Sequence, residues 1–257
     1  MPISSKDLQL LDADEPSPVE VVGAERSGPF VVLCDHAGRT LPRALGSLGL
    51  TPAELETHIA WDIGAAGVAR RLAHELDAPL FLQRYSRLAI DCNRPLSAPD
   101  SIPLRSGGIA IPGNAGLTPA QVEARAQSIF GPYHARISDL LAQRSHYLLI
   151  AVHSFTPELY GERRSFHAGV LYERDTRLAA PLLSLLRREP GLIVGDNEPY
   201  RASAATDYTI IEHGERRGAP YVELEVRQDL VGDEAGQAAW AERFARLLRI
   251  ASAAFRF

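Results

Sequence analysis

Residues 31–42, VVLCDHAGRTLP, begin as an apolar run and break off at Asp35-His36. A run this short reads as a buried strand, and Gly38 and Pro42 punctuate the loop that follows. An acid and an imidazole therefore stand at the mouth of a buried strand. Runs of the same kind recur at 78–83 (APLFLQ), 87–92 (RLAIDC), 147–154 (YLLIAVHS), 168–173 (AGVLYE), 191–196 (GLIVGD) and 221–226 (YVELEV). Between them, 52–76, 118–144, 175–188, 206–217 and 235–254 carry helical periodicity, and Thr51-Pro52 and Thr118-Pro119 are capping signals. Strands alternating with helices predict an α/β fold with a mostly parallel, mixed central sheet.

The chain has 257 residues, nearly half of them apolar, and no interdomain linker or internal repeat. The expectation is one α/β domain over 1–257, with 1–28 as an N-terminal extension of it. A net charge of −5 without a long run of either sign argues against nucleic acid or an anionic membrane as partner, and for small molecules. No stretch approaches the roughly 18 apolar residues of a membrane span, and the N-terminus lacks a basic region followed by an apolar one, so a cytoplasmic location is expected. Cys34 and Cys92 lie in strand-like runs and read as small buried hydrophobes. The Pro-, Gly- and Ser-rich stretch 95–117 is a long loop, the kind that is usually functional or mobile.

In open α/β sheets ligands bind beyond the carboxyl ends of the strands. There the chain places Asp35-His36, Asp91-Cys92-Asn93-Arg94, His153-Ser154, and Glu223, Glu225 and Arg227. Two imidazoles, several carboxylates and an Asn-Arg pair form the inventory of a hydrolytic zinc site, which needs three N/O ligands, an open water position and a carboxylate base. Glu223 and Glu225 are two apart, hence on one face of a strand. Two carboxylates on one buried face are costly unless they serve chemistry or meet a cation. The planar Arg94 guanidinium beside the Asn93 amide suits a substrate carboxylate. A metal-free serine hydrolase would need a nucleophile elbow, and GxSxG is absent.

The ordered set DHAG, WDIGA, YSRLAIDCNRP, HSF and ELEVRQDL resembles the N-formylglutamate amidohydrolase family over about residues 29–232. It is more distantly similar to zinc carboxypeptidases and aminoacylases. The resemblance implies a three-layer α/β/α sandwich of zinc-exopeptidase type and one zinc ion held by His36, Asp62 and His153. Carboxypeptidases place a glutamate ligand three residues after the first histidine, where this chain has Arg39. Asp35 and His58 are the alternatives for the third ligand, and His58 would share a helix face with Asp62 if both were helical. In the Glu-apolar-Arg frame Glu225 is the implied general base, with Glu223 as the alternative. Asn93 and Arg94 would grip the substrate's carboxylate, and Arg163, Arg164 and Arg201 are candidates for a second one. Tyr200 and His213 are candidates for stabilising the oxyanion or the leaving group. The implied substrate is a small N-acyl amino acid carrying a carboxylate. N-formyl-L-glutamate leads, giving formate and glutamate as in histidine degradation. The alternatives are another N-acyl amino acid, a small peptide-like acid, or a non-catalytic acid-binding protein that would have no use for Glu225. The oligomeric state stays open.

Overall fold

The computed structural model describes residues 10–255, so the first nine residues of the N-terminal extension lie outside the described residues. The chain runs through β1 (Val19–Val22), β2 (Phe30–Cys34), α1 (Pro52–Leu55), α2 (Ala65–Glu75), β3 (Leu80–Gln83) and a hairpin of β4 (Arg105–Ser106) and β5 (Ile109–Ala110). Then follow α3 (Pro119–Arg125), α4 (Gly131–Leu141), β6 (Leu148–Phe155) and a second hairpin of β7 (Glu158–Leu159) and β8 (Glu162–Arg163). The remainder is β9 (Ala168–Leu171), α5 (Ala179–Leu186), β10 (Val194–Asp196), α6 (Thr209–His213), β11 (Tyr221–Arg227) and α7 (Glu234–Ala251).

Seven strands form one sheet in the order β1-β3-β2-β6-β11-β9-β10. The central four, β3, β2, β6 and β11, are parallel. β1 runs antiparallel to β3, and β9 antiparallel to β11, so the sheet is mixed at both sides. Every residue of β2, β6 and β11 is buried, as strands covered on both faces must be. Alternation then sorts the side chains into two layers. Val32, Ile150, Val152 and Leu224 pack with Leu72 of α2, Leu182 of α5 and Phe244 of α7. Val31, Leu33, Leu149 and Tyr221 pack with Tyr133 and Ile137 of α4 and Ile210 of α6. The result is a three-layer α/β/α sandwich. β2 has β3 on one side and β6 on the other, so a crevice opens beyond the carboxyl ends of these strands.

Two elements differ from the sequence expectation. Residues 87–92 are not a strand but a series of turns. Their apolar side chains are buried as predicted, yet side chains rather than a ladder satisfy their carbonyls: Arg125 Nη1 donates to Ala89 O at 2.8 Å and His134 Nε2 to Cys92 O at 2.9 Å. An apolar run requires burial, and pairing is only one way to satisfy its backbone. The helix expected over 52–76 is two helices. Thr51 and Glu54 form a capping box on α1, and the chain breaks after Leu55 and restarts at Gly64, whose φ of +81° suits glycine. A Cβ there would also run into Val231 O. The break carries Asp62 to the end of β2, where its amide donates to His36 O at 3.0 Å. His58 and Asp62 therefore do not share a helix face. Pairing through β1, whose VEVV run alternates, escaped the sequence reading, as did the β4–β5 hairpin inside the 95–117 loop.

Candidate active site

The odd positions of β6 and β11 carry apolar side chains toward α4 and α6 until the strands end, where they become His153, Glu223 and Glu225. His153 and Glu225 are direct partners in the parallel register. His36 leaves the tip of β2, and Asp62 arrives from the break between α1 and α2. All of these groups are buried.

His36 Nδ1 lies 3.3 Å and His153 Nδ1 2.9 Å from the same oxygen, Asp62 Oδ2. The two rings meet edge-on with centroids 4.9 Å apart. Each ring's other nitrogen faces a further carboxylate: His36 Nε2 is 2.6 Å from Asp91 Oδ1, and His153 Nε2 is 3.2 Å from Asp35 Oδ2. A carboxylate only accepts, and each ring has one at both nitrogens, so in the absence of a metal these contacts favour protons on Nδ1 and Nε2 alike; burial opposes the charge, yet the surrounding carboxylates raise the pKa of both rings. The cluster therefore already holds positive charge beside Asp62. A cation could take the place of the two Nδ1 protons, with Asp91 and Asp35 keeping the protons on Nε2, and ligand atoms of His36, Asp62 and His153 lying within 4.8 Å of one another could hold a metal ion. The orienting carboxylates are themselves fixed. Arg87 donates to Asp91 Oδ2 from Nε (3.1 Å) and Nη2 (2.6 Å) and to Asp62 Oδ1 from Nη1 (3.4 Å), while Thr209 Oγ1 donates to Asp35 Oδ1 at 2.8 Å. Asp35, an alternative third ligand on sequence grounds, thus lies behind His153, and Asp62 is the carboxylate between the rings. Arg87 and Asp91 received no role from the sequence, although both stand in YSRLAIDCNRP.

Glu225 Oε2 is buried and has no hydrogen-bond partner among the described residues. Burial pushes its pKa well above the ordinary carboxylate value; His153 opposes this, and Asp62 and Glu223 add to it. Glu223 is pushed up to about 7, again chiefly by burial. It accepts from Asn93 Nδ2 at 3.3 Å. Both glutamates border a cavity of about 480 Å³ together with His36, Asp62, His153 and Arg94, a size suited to a small-molecule ligand.

The other predicted residues divide. Asn93 and Arg94 reach the cavity but are already engaged. Asn93 Oδ1 accepts from the amides of Tyr208 (3.2 Å) and Thr209 (3.0 Å). Arg94 donates from Nε to Asp100 at 3.0 Å and from Nη1 to Thr206 O. Tyr200 borders the cavity, and its oxygen accepts from Arg164 Nη1 at 2.7 Å. His58 also borders the cavity; its Nε2 is buried without a hydrogen-bond partner among the described residues, and burial lowers its pKa. Arg163 is exposed on β8 and does not line the cavity.

His213 is the clear correction among the candidates. It does not line the cavity but lies fully buried on α6, stacked against His134. Since His134 Nε2 donates to Cys92 O, its Nδ1 accepts from His213 Nε2 at 3.0 Å, and both rings are neutral. Burial is the main cause that pushes His134 down to about 4 and His213 down to about 3. The unfolded chain, with histidines near 6.5, then binds more protons than the folded one, so stability is lost as pH falls below about 6.5 and the loss levels off near the folded values. In His134→Gln, which keeps a donor for Cys92 O, the pH dependence of unfolding free energy between pH 6 and 4.5 is expected to be shallower by up to about 1.4 kcal/mol per pH unit, one proton's worth. Urea titrations across that range check this, and equal slopes would refute it.

A mixed α/β sandwich with a buried His-Asp-His cluster and a carboxylate beside it is the frame of a hydrolase. The chain belongs to the N-formylglutamate amidohydrolase family, whose model matches residues 28–231. Gene product Atu2144 from Agrobacterium tumefaciens, of known crystal structure, is 36% identical over 95% of this chain and 98% of that one, with a TM-score of 0.91. The N-formylglutamate amidohydrolase of Ralstonia eutropha JMP134 is 21% identical over 92% of this chain and 98% of that one, with a TM-score of 0.66, a likeness of fold. No curated protein matches. Among the described residues no helix is long and apolar enough to cross a membrane.

Proposed function

We propose that the protein is a zinc-dependent amidohydrolase of the cytoplasm that cleaves a small N-acyl amino acid, N-formyl-L-glutamate first, to formate and L-glutamate. The observation that carries the reading is the convergence of His36 Nδ1 and His153 Nδ1 on Asp62, with the unpartnered Glu225 carboxylate bordering the same cavity. Two imidazoles and a carboxylate suit zinc in a catalytic site. His36, Asp62 and His153 would hold the ion, and Asp91 and Asp35 would keep the rings in the ligating tautomer. When bound, zinc supplies Lewis acidity toward the scissile carbonyl. Glu225 takes a proton from the attacking water and passes it to the amide nitrogen as the C–N bond breaks. The acyl group leaves as a carboxylate and the amino acid as its free amine. Tyr200, whose oxygen accepts from Arg164, keeps its own proton for the developing oxyanion. Arg94 retains Nη2 for the substrate's α-carboxylate, with Asn93 Nδ2 beside it.

The test is formate release from N-formyl-L-glutamate by protein purified without added metal, with zinc measured in the same sample. About one zinc per chain, and turnover that a chelator abolishes and zinc restores, is the expected result. Zinc-loaded protein that releases neither formate nor amine from any N-acyl amino acid would remove the reading.

A further inference from the structure

We infer that Arg201 is the residue that selects an acidic side chain on the substrate, an inference that rests on the proposed hydrolysis of N-acyl amino acids. It follows from the occupancy of the guanidinium groups around the cavity. Arg87 places Nε and Nη2 on Asp91 and Nη1 on Asp62, so its fork is filled by carboxylates. Arg94 is neutralised by Asp100 at 3.0 Å and faces Asp207 at 4.0 Å. One of these carboxylates, Asp62, sits in the His cluster and cannot yield its arginine to a ligand without disturbing that cluster. Arg201 borders the same cavity and, among the described residues, has neither a hydrogen-bond partner nor an ion-pair partner.

Its neighbour in sequence is held in place. Tyr200 is pinned by Arg164, which donates to the phenol oxygen and lies with Cζ 4.8 Å from the centre of the Tyr200 ring and 5.6 Å from that of Phe155. On the other side, Ser203 donates its amide to Asp207 Oδ2 at 2.9 Å. Arg201 thus stands in a segment anchored on both sides, exposed to solvent and close enough to the Tyr172 phenol, which donates to Asp196, to act on it electrostatically, with no carboxylate in ion-pair contact among the described residues. Arg164 also has no carboxylate partner among the described residues; its bonding to Tyr200 commits it to positioning that ring. The lining acids Asp62, Asp207, Glu223 and Glu225 would repel a dianionic ligand unless a free cation met its second charge. Arg201 is the lining guanidinium available for that. A planar fork distinguishes a carboxylate from the isosteric amide, which offers one acceptor and no charge.

The experiment compares wild type, Arg201→Met and Arg201→Lys. The kinetic arm is the ratio of kcat/KM for N-formyl-L-glutamate over N-formyl-L-glutamine, with zinc content checked. The binding arm is the ratio of affinities for glutarate over its monoamide, measured by calorimetry. Both ratios are expected to exceed about 10 in wild type, to fall by about 10- to 100-fold in Arg201→Met, and to recover in part in Arg201→Lys. Ratios that Arg201→Met leaves unchanged overturn the inference, even if hydrolysis itself is observed. A wild type that hydrolyses neither substrate yet loses its glutarate preference in Arg201→Met overturns the proposed chemistry and upholds Arg201 as the acid selector.

Discussion

Glu225→Gln is expected to lower kcat by about 10²- to 10⁴-fold while KM stays within about threefold, because the amide keeps the shape of the carboxylate and loses its basicity. The site makes this test a clean one. Glu225 is buried and, among the described residues, its Oε2 has no hydrogen-bond partner, so the change breaks no hydrogen bond of that oxygen and removes only the electrostatic attraction to His153, its register partner. The same features predict that the variant is more stable than the wild type. Burial disfavours the ionised carboxylate at this position, and a glutamine of the same shape carries no charge to desolvate. A lower rate with a higher Tm is the signature of a functional group, whereas loss of both would mark Glu225 as structural. Glu223 is the control. It receives Asn93 Nδ2 and stands 3.9 Å from His153 Nε2, so Glu223→Gln is expected to change rates less. If Glu223→Gln shows the large kcat loss and Glu225→Gln does not, the base has been assigned to the wrong carboxylate.

Replacing His153 with alanine is expected to reduce bound zinc from about one per chain to below about 0.1 after dialysis, and activity with it, since two ligands remain where three are needed. The circular dichroism spectrum should persist, because β6 keeps its ladder to β2 and β11. His36→Ala should behave alike. Asp91→Asn is the graded case: it leaves all three ligands and disturbs only the partner of His36 Nε2, so metal affinity should fall by about 10- to 100-fold rather than vanish. Elemental analysis and competition with a chromogenic chelator separate the three variants. Stoichiometric zinc in both alanine variants would show that the ion binds elsewhere.

What could be read from the sequence follows from how far its signals reach. Burial leaves a local mark. The runs around Val31 and Leu149 are apolar at successive positions because a strand covered on both faces has no solvent side, and that pattern implied a buried, mostly parallel central sheet. The polar residues that stop those runs, His36 and His153, had to lie at the same edge of the sheet because parallel strands end together. The same signal misled at 87–92, where burial is achieved without pairing, and at 52–76, where helical periodicity continues through a break at which Asp62 bonds the end of β2 and Gly64 packs against Val231.

The pairing of groups was beyond such signals. His36 meets Asp91 across 55 positions and His153 meets Asp35 across 118, and those contacts determine which nitrogen of each ring faces Asp62. Arg94, beside Asn93, read as the grip on the substrate's carboxylate and Arg201 as one candidate among three for a second; Arg94 lies among acids, whereas Arg201 has no hydrogen-bond or ion-pair partner among the described residues. His213 read as a site residue and is instead stacked on His134 in the interior. Apolar runs and their polar stops marked the central strands and the edge where the chemistry must lie, since periodicity and strand ends are properties of neighbouring residues, while the edge strand β1 left too weak a mark to be read. The partners of each ring, the charge balance of the site and the cation left for a ligand came from the folded chain, because a hydrogen bond depends on positions within a few tenths of an ångström that are set by the paths of distant loops.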